Sequence, residues 1–209
     1  MKSIVVAGLA GGLALFFWEA VAHMILPLGE AGIQAIANEQ AVMTALKDNI
    51  RQPGLYLFPA PNDLPGTTAG QKAEAIAKAQ ERWRTGPSGM LIFHPSGTDS
   101  ISARQLVTQL GGDMAAMLLA AVVLWHMAPA SYPRRAALVG ILGLLPALES
   151  ELPNWNWYGL PAMYLLAQAA IHLVGFVAGG LVVAAMARPG APPHQPRSSG
   201  TGPREATAS

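Results

Sequence analysis

Four long apolar segments, separated by polar stretches of very unequal length, dominate this chain. Ser3 to Leu26 is apolar except for Glu19 and His23, and Gly111 to Ala130 is interrupted by Asp113 and His126. Ala136 to Leu148 is shorter and reaches a spanning length only with Glu149 to Leu152. Leu160 to Ala187 is broken only by Gln168 and His172. About 20 mostly apolar residues cross a bilayer, so the pattern predicts four transmembrane helices, the third kinked near its end by Pro146.

The segment from Pro27 to Gln109 is too long for a plain loop. Ile36, Met43, Leu46 and Ile50 recur at helical spacing, which predicts a helix over Ile33–Ile50, ending before Pro53. Gln71–Arg84 is Ala-rich and charged, with Glu74 and Lys78 four apart, and predicts a solvated helix. Gly54-Leu55-Tyr56-Leu57-Phe58-Pro59 and Gly89-Met90-Leu91-Ile92-Phe93-His94-Pro95 are short apolar runs between Gly and Pro. Each reads as a strand, and the two can pair around the second helix. Ser100 or Ser102 is placed to cap a helix running into the second span. The tail from Arg188 to Ser209 is Pro-, Gly- and Ser-rich and too polar to offset its ordering entropy, so disorder is expected. The expected organisation is a first span over 1–26, a cap over 27–109, spans two to four over 110–187 and a tail over 188–209.

Composition agrees with a membrane setting: 52% of the 209 residues are hydrophobic and 12% charged, against roughly 25% charged in soluble domains. A net charge of +1 carries no nucleic-acid footprint. Without cysteine there is no disulfide, thiolate nucleophile or thiolate metal site. Lys2, Arg134, Arg135, Arg188, Arg197 and Arg204 all fall on one side of a four-span chain. The positive-inside rule makes that side cytoplasmic, so both termini are expected inside and the long insertion outside, in a bacterium the periplasm. The expected fold class is therefore an all-α protein of the inner membrane with a small α+β periplasmic insertion between spans one and two. A rival reading of the N-terminus is a cleavable signal peptide ending near Ala20-Val21-Ala22. Phe17 and Trp18 beside the would-be site, and the apolar continuation through Leu26, argue against it.

Between the third and fourth apolar runs stands Asn154-Trp155-Asn156-Trp157-Tyr158-Gly159-Leu160-Pro161. Trp155, Trp157 and Tyr158 suit the membrane boundary, where their rings are apolar and their N–H or O–H groups stay wet. An interfacial turn, with Gly159 for turn freedom and Pro161 opening the next helix, is preferred over an aromatic binding platform. Trp125 and Tyr132 are expected to form the matching belt on the other side.

The stretches "HMILPLGEAGI", "GPSGMLIFHPSG" and "WNWYGLP" resemble a family of uncharacterised bacterial inner-membrane proteins. The resemblance spans roughly residues 1 to 187, implies the same membrane topology, and brings no assigned activity or functional residues.

Candidate chemistry lies in the ionisable residues of the spans, because charged groups in a bilayer are costly and face the bundle interior. Glu19 and His23 share a helix face at i,i+4, and Gln168 and His172 repeat that spacing near mid-membrane. Counting about 1.5 Å of rise per residue puts Glu19, His23, Asp113, Glu149 and Glu151 in the outer half, where they can converge. His126 belongs near the cytoplasmic surface. Carboxylates so close cannot all stay ionised. Three functions fit: an accessory or structural membrane component held by a hydrogen-bonded network, a small proton-linked transporter or ion-conducting unit, and a membrane metalloenzyme. The first, non-catalytic reading is preferred. Membrane lipid and a partner membrane protein or second copy are the expected partners. No cofactor is implied, because Glu-x-x-x-His alone is a weak metal motif and no HExxH, GxSxG or phosphate loop occurs. Paired glycines, Gly8/Gly12 on the first span and Gly175/Gly179 on the fourth, are expected to bring those two helices together.

The orientation is open to direct test. Reporter fusions after Gln71 and Trp155 are expected to read periplasmic, and fusions after Arg135 and Pro189 cytoplasmic. A cytoplasmic signal at Gln71 overturns the topology.

Overall fold

The computed structural model describes residues 2–60, 68–127 and 130–187; the tail expected to be disordered lies outside them, as do Arg188, Arg197 and Arg204. The chain is mostly helical and is a multi-pass membrane protein: four helices are long and apolar enough to cross a bilayer. They are α1 (Lys2–Met24), α4 (Ala103–His126), a compound third span over Tyr132–Tyr158, and α8 (Ala162–Met186).

α1 runs down the middle of the bundle, packed on α4 along one side and on α8 along another. Ile4, Ala7, Gly8, Gly11, Gly12, Leu15 and Ala22 are its buried residues, mostly small ones. The expected approach of α1 to α8 occurs, but with a different glycine on α1. Gly175 and Gly179 do face α1: a Cβ on Gly179 would stand 3.0 Å from the Gly11 carbonyl oxygen, and one on Gly175 would stand 2.9 Å from Trp18 Cδ1. Gly8 and Gly12 face α4 instead; a Cβ on Gly8 would come within 2.6 Å of Leu118 Cα, and one on Gly12 would strike the backbone of Met114. Residues 11 and 12 are about 100° apart around a helix, so adjacent glycines serve two neighbours. Met117 fills the space where α1, α4 and α8 meet, fully buried against Gly179. The Trp18 indole N–H then locks α1 to α8 by donating to the Ile171 carbonyl at 2.9 Å.

The third span is built from α5 (Tyr132–Leu142), a single turn α6 (Leu144–Pro146), a π-helical turn (Ala147–Glu151) and α7 (Leu152–Tyr158). Pro146 and Pro153 lack N–H groups, so neither can donate to the carbonyl four residues earlier. Between them the chain widens by one residue per turn, with the Leu152 N–H bonded to the Ala147 carbonyl. The irregularity thus extends beyond the single kink expected at Pro146. This span packs chiefly on α8, where Gly140 meets Val177, Gly143 meets Phe176 and Gly180 meets Val139.

The aromatic stretch is helical where the sequence suggested a turn. Asn154 to Tyr158 complete α7, and the reversal is confined to Gly159–Pro161. Gly159 adopts the left-handed conformation at φ 71°, its N–H bonding the Trp155 carbonyl while Leu160 bonds back to Asn154. A left-handed glycine whose N–H returns to the carbonyl four residues earlier is a common stop of a helix.

In the insertion, α2 spans Glu39–Asn49 and so begins later than the apolar spacing suggested. Asn38 stops it at the N-terminus, its side chain accepting from the Ala41 N–H at 3.3 Å. α3 (Ala69–Thr85) opens with a reciprocal Thr68–Gln71 cap and carries the Glu74–Lys78 ion pair at 2.7 Å on its exposed face. β1 (Gly54–Phe58) and β2 (Gly89–Phe93) pair antiparallel around it, with Tyr56 opposite Leu91. Ser102 caps α4, its Oγ accepting from the Gln105 N–H while Gln105 Oε1 accepts from the Ser102 N–H. The insertion meets the bundle through a 3₁₀ turn at Leu28–Glu30, which rests on α1 and α8. There Gly29 lies under the His23 ring, and Gly32, at φ 82°, fits against Pro161.

Glycine placement predicts opposite outcomes on neighbouring surfaces. Gly12→Leu forces backbone apart and should lower stability by about 1–3 kcal/mol. Gly111 and Gly112 on α4 have open space around the Cβ position, so Gly111→Ala and Gly112→Ala should be neutral or stabilise by up to about 1 kcal/mol. Thermal unfolding in detergent measures both; equal losses contradict the packing.

Candidate functional site

The polar site forms at the insertion end of α1 and α4. Glu19 lies on the α1 face that continues from Gly12, and Asp113 lies on α4 where the two backbones cross. Because glycine allows that close crossing, Gln109, one turn before Asp113, reaches across to α1. Its amide nitrogen donates to Glu19 Oε2 at 2.6 Å and to Asp113 Oδ1 at 3.0 Å. A primary amide has two N–H groups, so both are committed, one to each carboxyl. Asp113 is only 5% exposed, and its Oδ2 is buried with no hydrogen-bond partner among the described residues.

His23 is exposed, its Nδ1 lying 2.9 Å from the Glu19 carbonyl oxygen in its own helix while its ring covers Gly29. It therefore sits between the polar site and the strap that carries the insertion. Glu149 and Glu151 stand apart from the Gln109 bridge, because the third span packs on α8 rather than beside α4. Glu149 is exposed on the π-helical turn. The π-helical turn that carries Glu151 packs on α8 instead, and Glu151 is half-buried there. Of the residues expected to converge, Glu19 and Asp113 are thus brought together through Gln109, while the third-span acids stay apart from them. Gln168 is buried at 8% exposure and His172 is half-buried, both on the α8 side.

A cavity of about 410 Å³ opens between these helices. α1 contributes Phe16, Glu19, Ala20 and His23 as one stripe, α4 contributes Gln105, Leu106 and Gln109, and α8 contributes Gln168, Ile171 and His172. The cavity begins where the glycines stop. On α1 the row Gly8, Gly12 continues as Phe16 and Ala20, and on α8 the row Gly179, Gly175 continues as Ile171 and Gln168.

Gln109 was not singled out in the sequence because it precedes the apolar part of the second span and carries no charge. The signal for it was its i,i+4 spacing to Asp113. Trp155, Trp157 and Tyr158 are exposed, Trp157 at 77%, and none stacks on another ring among the described residues. Among the described residues no three His, Asp or Glu side chains are grouped to hold a metal ion. Comparison with known proteins gives no match to a family model, a curated protein or a solved structure.

Proposed function

We propose that this protein is a non-catalytic accessory or structural component of a bacterial inner membrane, with both termini in the cytoplasm and the insertion in the periplasm. The observation that carries this reading is the amide of Gln109 shared between Glu19 and Asp113. A hydrogen bond between side chains on different helices ties them where lipid supplies no hydrophobic drive for association. This one does so at the root of the insertion, holding α1, from which the insertion departs, to α4, by which it returns. The orientation is supported by Lys2, Arg134 and Arg135, which begin α1 and α5 at the end of the bundle opposite the insertion.

A second reading, a small proton-linked transporter or ion-conducting unit, draws on a different observation. Glu19 and His23 on α1, Gln109 on α4, and Gln168 and His172 on α8 line one cavity shared by the three helices. Substitution separates the two. Under the structural reading Gln109→Ala leaves two carboxyls without their shared donor and lowers stability by about 1–3 kcal/mol. Glu19→Gln then also lowers the melting temperature, and liposomes show no proton-coupled flux attributable to the protein. Flux that Glu19→Gln abolishes while the melting temperature holds would establish transport and overturn the structural reading.

A further inference from the structure

The cavity between α1, α4 and α8 is larger than the hydrogen-bonded bridge at its edge requires. Its volume of about 410 Å³ falls in the range of about 300–1,000 Å³ typical of small-molecule sites. Its lining is divided in character. Phe16, Ala20, Leu106 and Ile171 form apolar wall, with Ile101 from the segment before α4. Glu19, the Gln105, Gln109 and Gln168 amides, and the imidazoles of His23 and His172 supply the polar groups. The one carboxylate in that lining is Glu19, and neither Lys nor Arg contributes to it. Glu19 Oε1 accepts no hydrogen bond among the described residues, since Gln109 takes Oε2. Gln109 has both its N–H groups engaged, which leaves its carbonyl oxygen as an acceptor. The Glu19–Gln109 edge of the cavity therefore presents free acceptor oxygens, while Phe16, Leu106 and Ile171 form a hydrocarbon wall.

We propose that this cavity binds an amphipathic amine: a compact ammonium head with N–H donors set against Glu19, and an aliphatic tail along Phe16, Leu106 and Ile171. A phosphate or carboxylate head is disfavoured, because neither Lys nor Arg lines the cavity and it would face Glu19 directly. An uncharged alcohol fills the same volume and can donate to Glu19, but it forgoes the attraction between opposite charges that an ammonium adds. The site is independent of the structural role of the Gln109 bridge, since it uses the oxygen that the bridge leaves free.

The probe is octylamine, titrated calorimetrically into the full-length protein in phosphatidylcholine nanodiscs, with empty nanodiscs subtracted. Octanol and octanoate serve as head-group controls of matching chain length. The expected result is saturable one-site binding of octylammonium, with octanol and octanoate weaker by about tenfold or more. Glu19→Gln is expected to lower affinity for the amine by about tenfold and to erase its advantage over octanol. Ala20→Phe, which fills the cavity from α1 and keeps Glu19, is expected to remove binding. Absence of saturable binding, equal binding of the three head groups, or an unchanged affinity in Glu19→Gln overturns the proposal. The head-group series is read on the wild-type protein, so it decides the question even where a variant fails to fold.

Discussion

The close approach of three helix backbones at α1 is the constraint on which the rest of the structure depends. Lipid tails are as apolar as the side chains they touch, so burying hydrocarbon does little to join helices in a bilayer. Contact has to come from shape, and α1 supplies it by presenting Gly8 and Gly12 to α4 and Gly11 to α8. With side chains removed from both faces, neighbouring backbones come into van der Waals contact. Met117 then becomes the knob that fills their common hole. The same economy recurs between α5 and α8 through Gly140, Gly143 and Gly180. A helix packed on two sides in this way is structurally part of the bundle.

Polar chemistry follows from that crossing geometry. Gln109 reaches Glu19 because Gly12 lets α4 pass close to α1 just one turn below. Beyond the last glycines Phe16 and Ala20 on α1 and Ile171 and Gln168 on α8 line the cavity. The bridge and the cavity are thus two consequences of one feature: glycine on one side of a given level and bulk on the other. An amide shared by two carboxyls also fixes what the site can accept. Both donors of Gln109 are spent, so what Gln109 itself still offers an entering group is an acceptor.

Much of this was legible in the sequence because hydropathy and capping are local. The four spans, the paired short strands and the Ser102 start of α4 all depend on residues within a few positions of one another. Side-chain partnership across helices is not local. Two adjacent glycines on α1 read as one motif until the helix is seen to have two neighbours, and the pair Gly8/Gly12 then belongs to α4. Glu149 and Glu151 share an estimated depth with Glu19, yet depth says nothing of position around the bundle. The third span attaches to α8 through its own glycines, and that placement separates its acids from Asp113. Gln109 escaped notice because a neutral residue outside an apolar run carries no visible cost in the sequence.

The insertion shows where such packing ends. No residue of α2 or α3 is buried, and the two strands contribute little beyond Phe93. Its shape rests on caps, the β1–β2 ladder and exposed ion pairs, which are individually worth little. Its position rests on the Leu28–Glu30 turn against α1 and α8. The His23 ring covers Gly29 in that turn, and four residues earlier on the same helix Glu19 is held by Gln109. Any shift of α1 against α4 that loosens Gln109 therefore moves the helix segment on which the turn rests. The contact with the insertion at His23 and the polar site at Glu19 are thus separated by a single turn of α1.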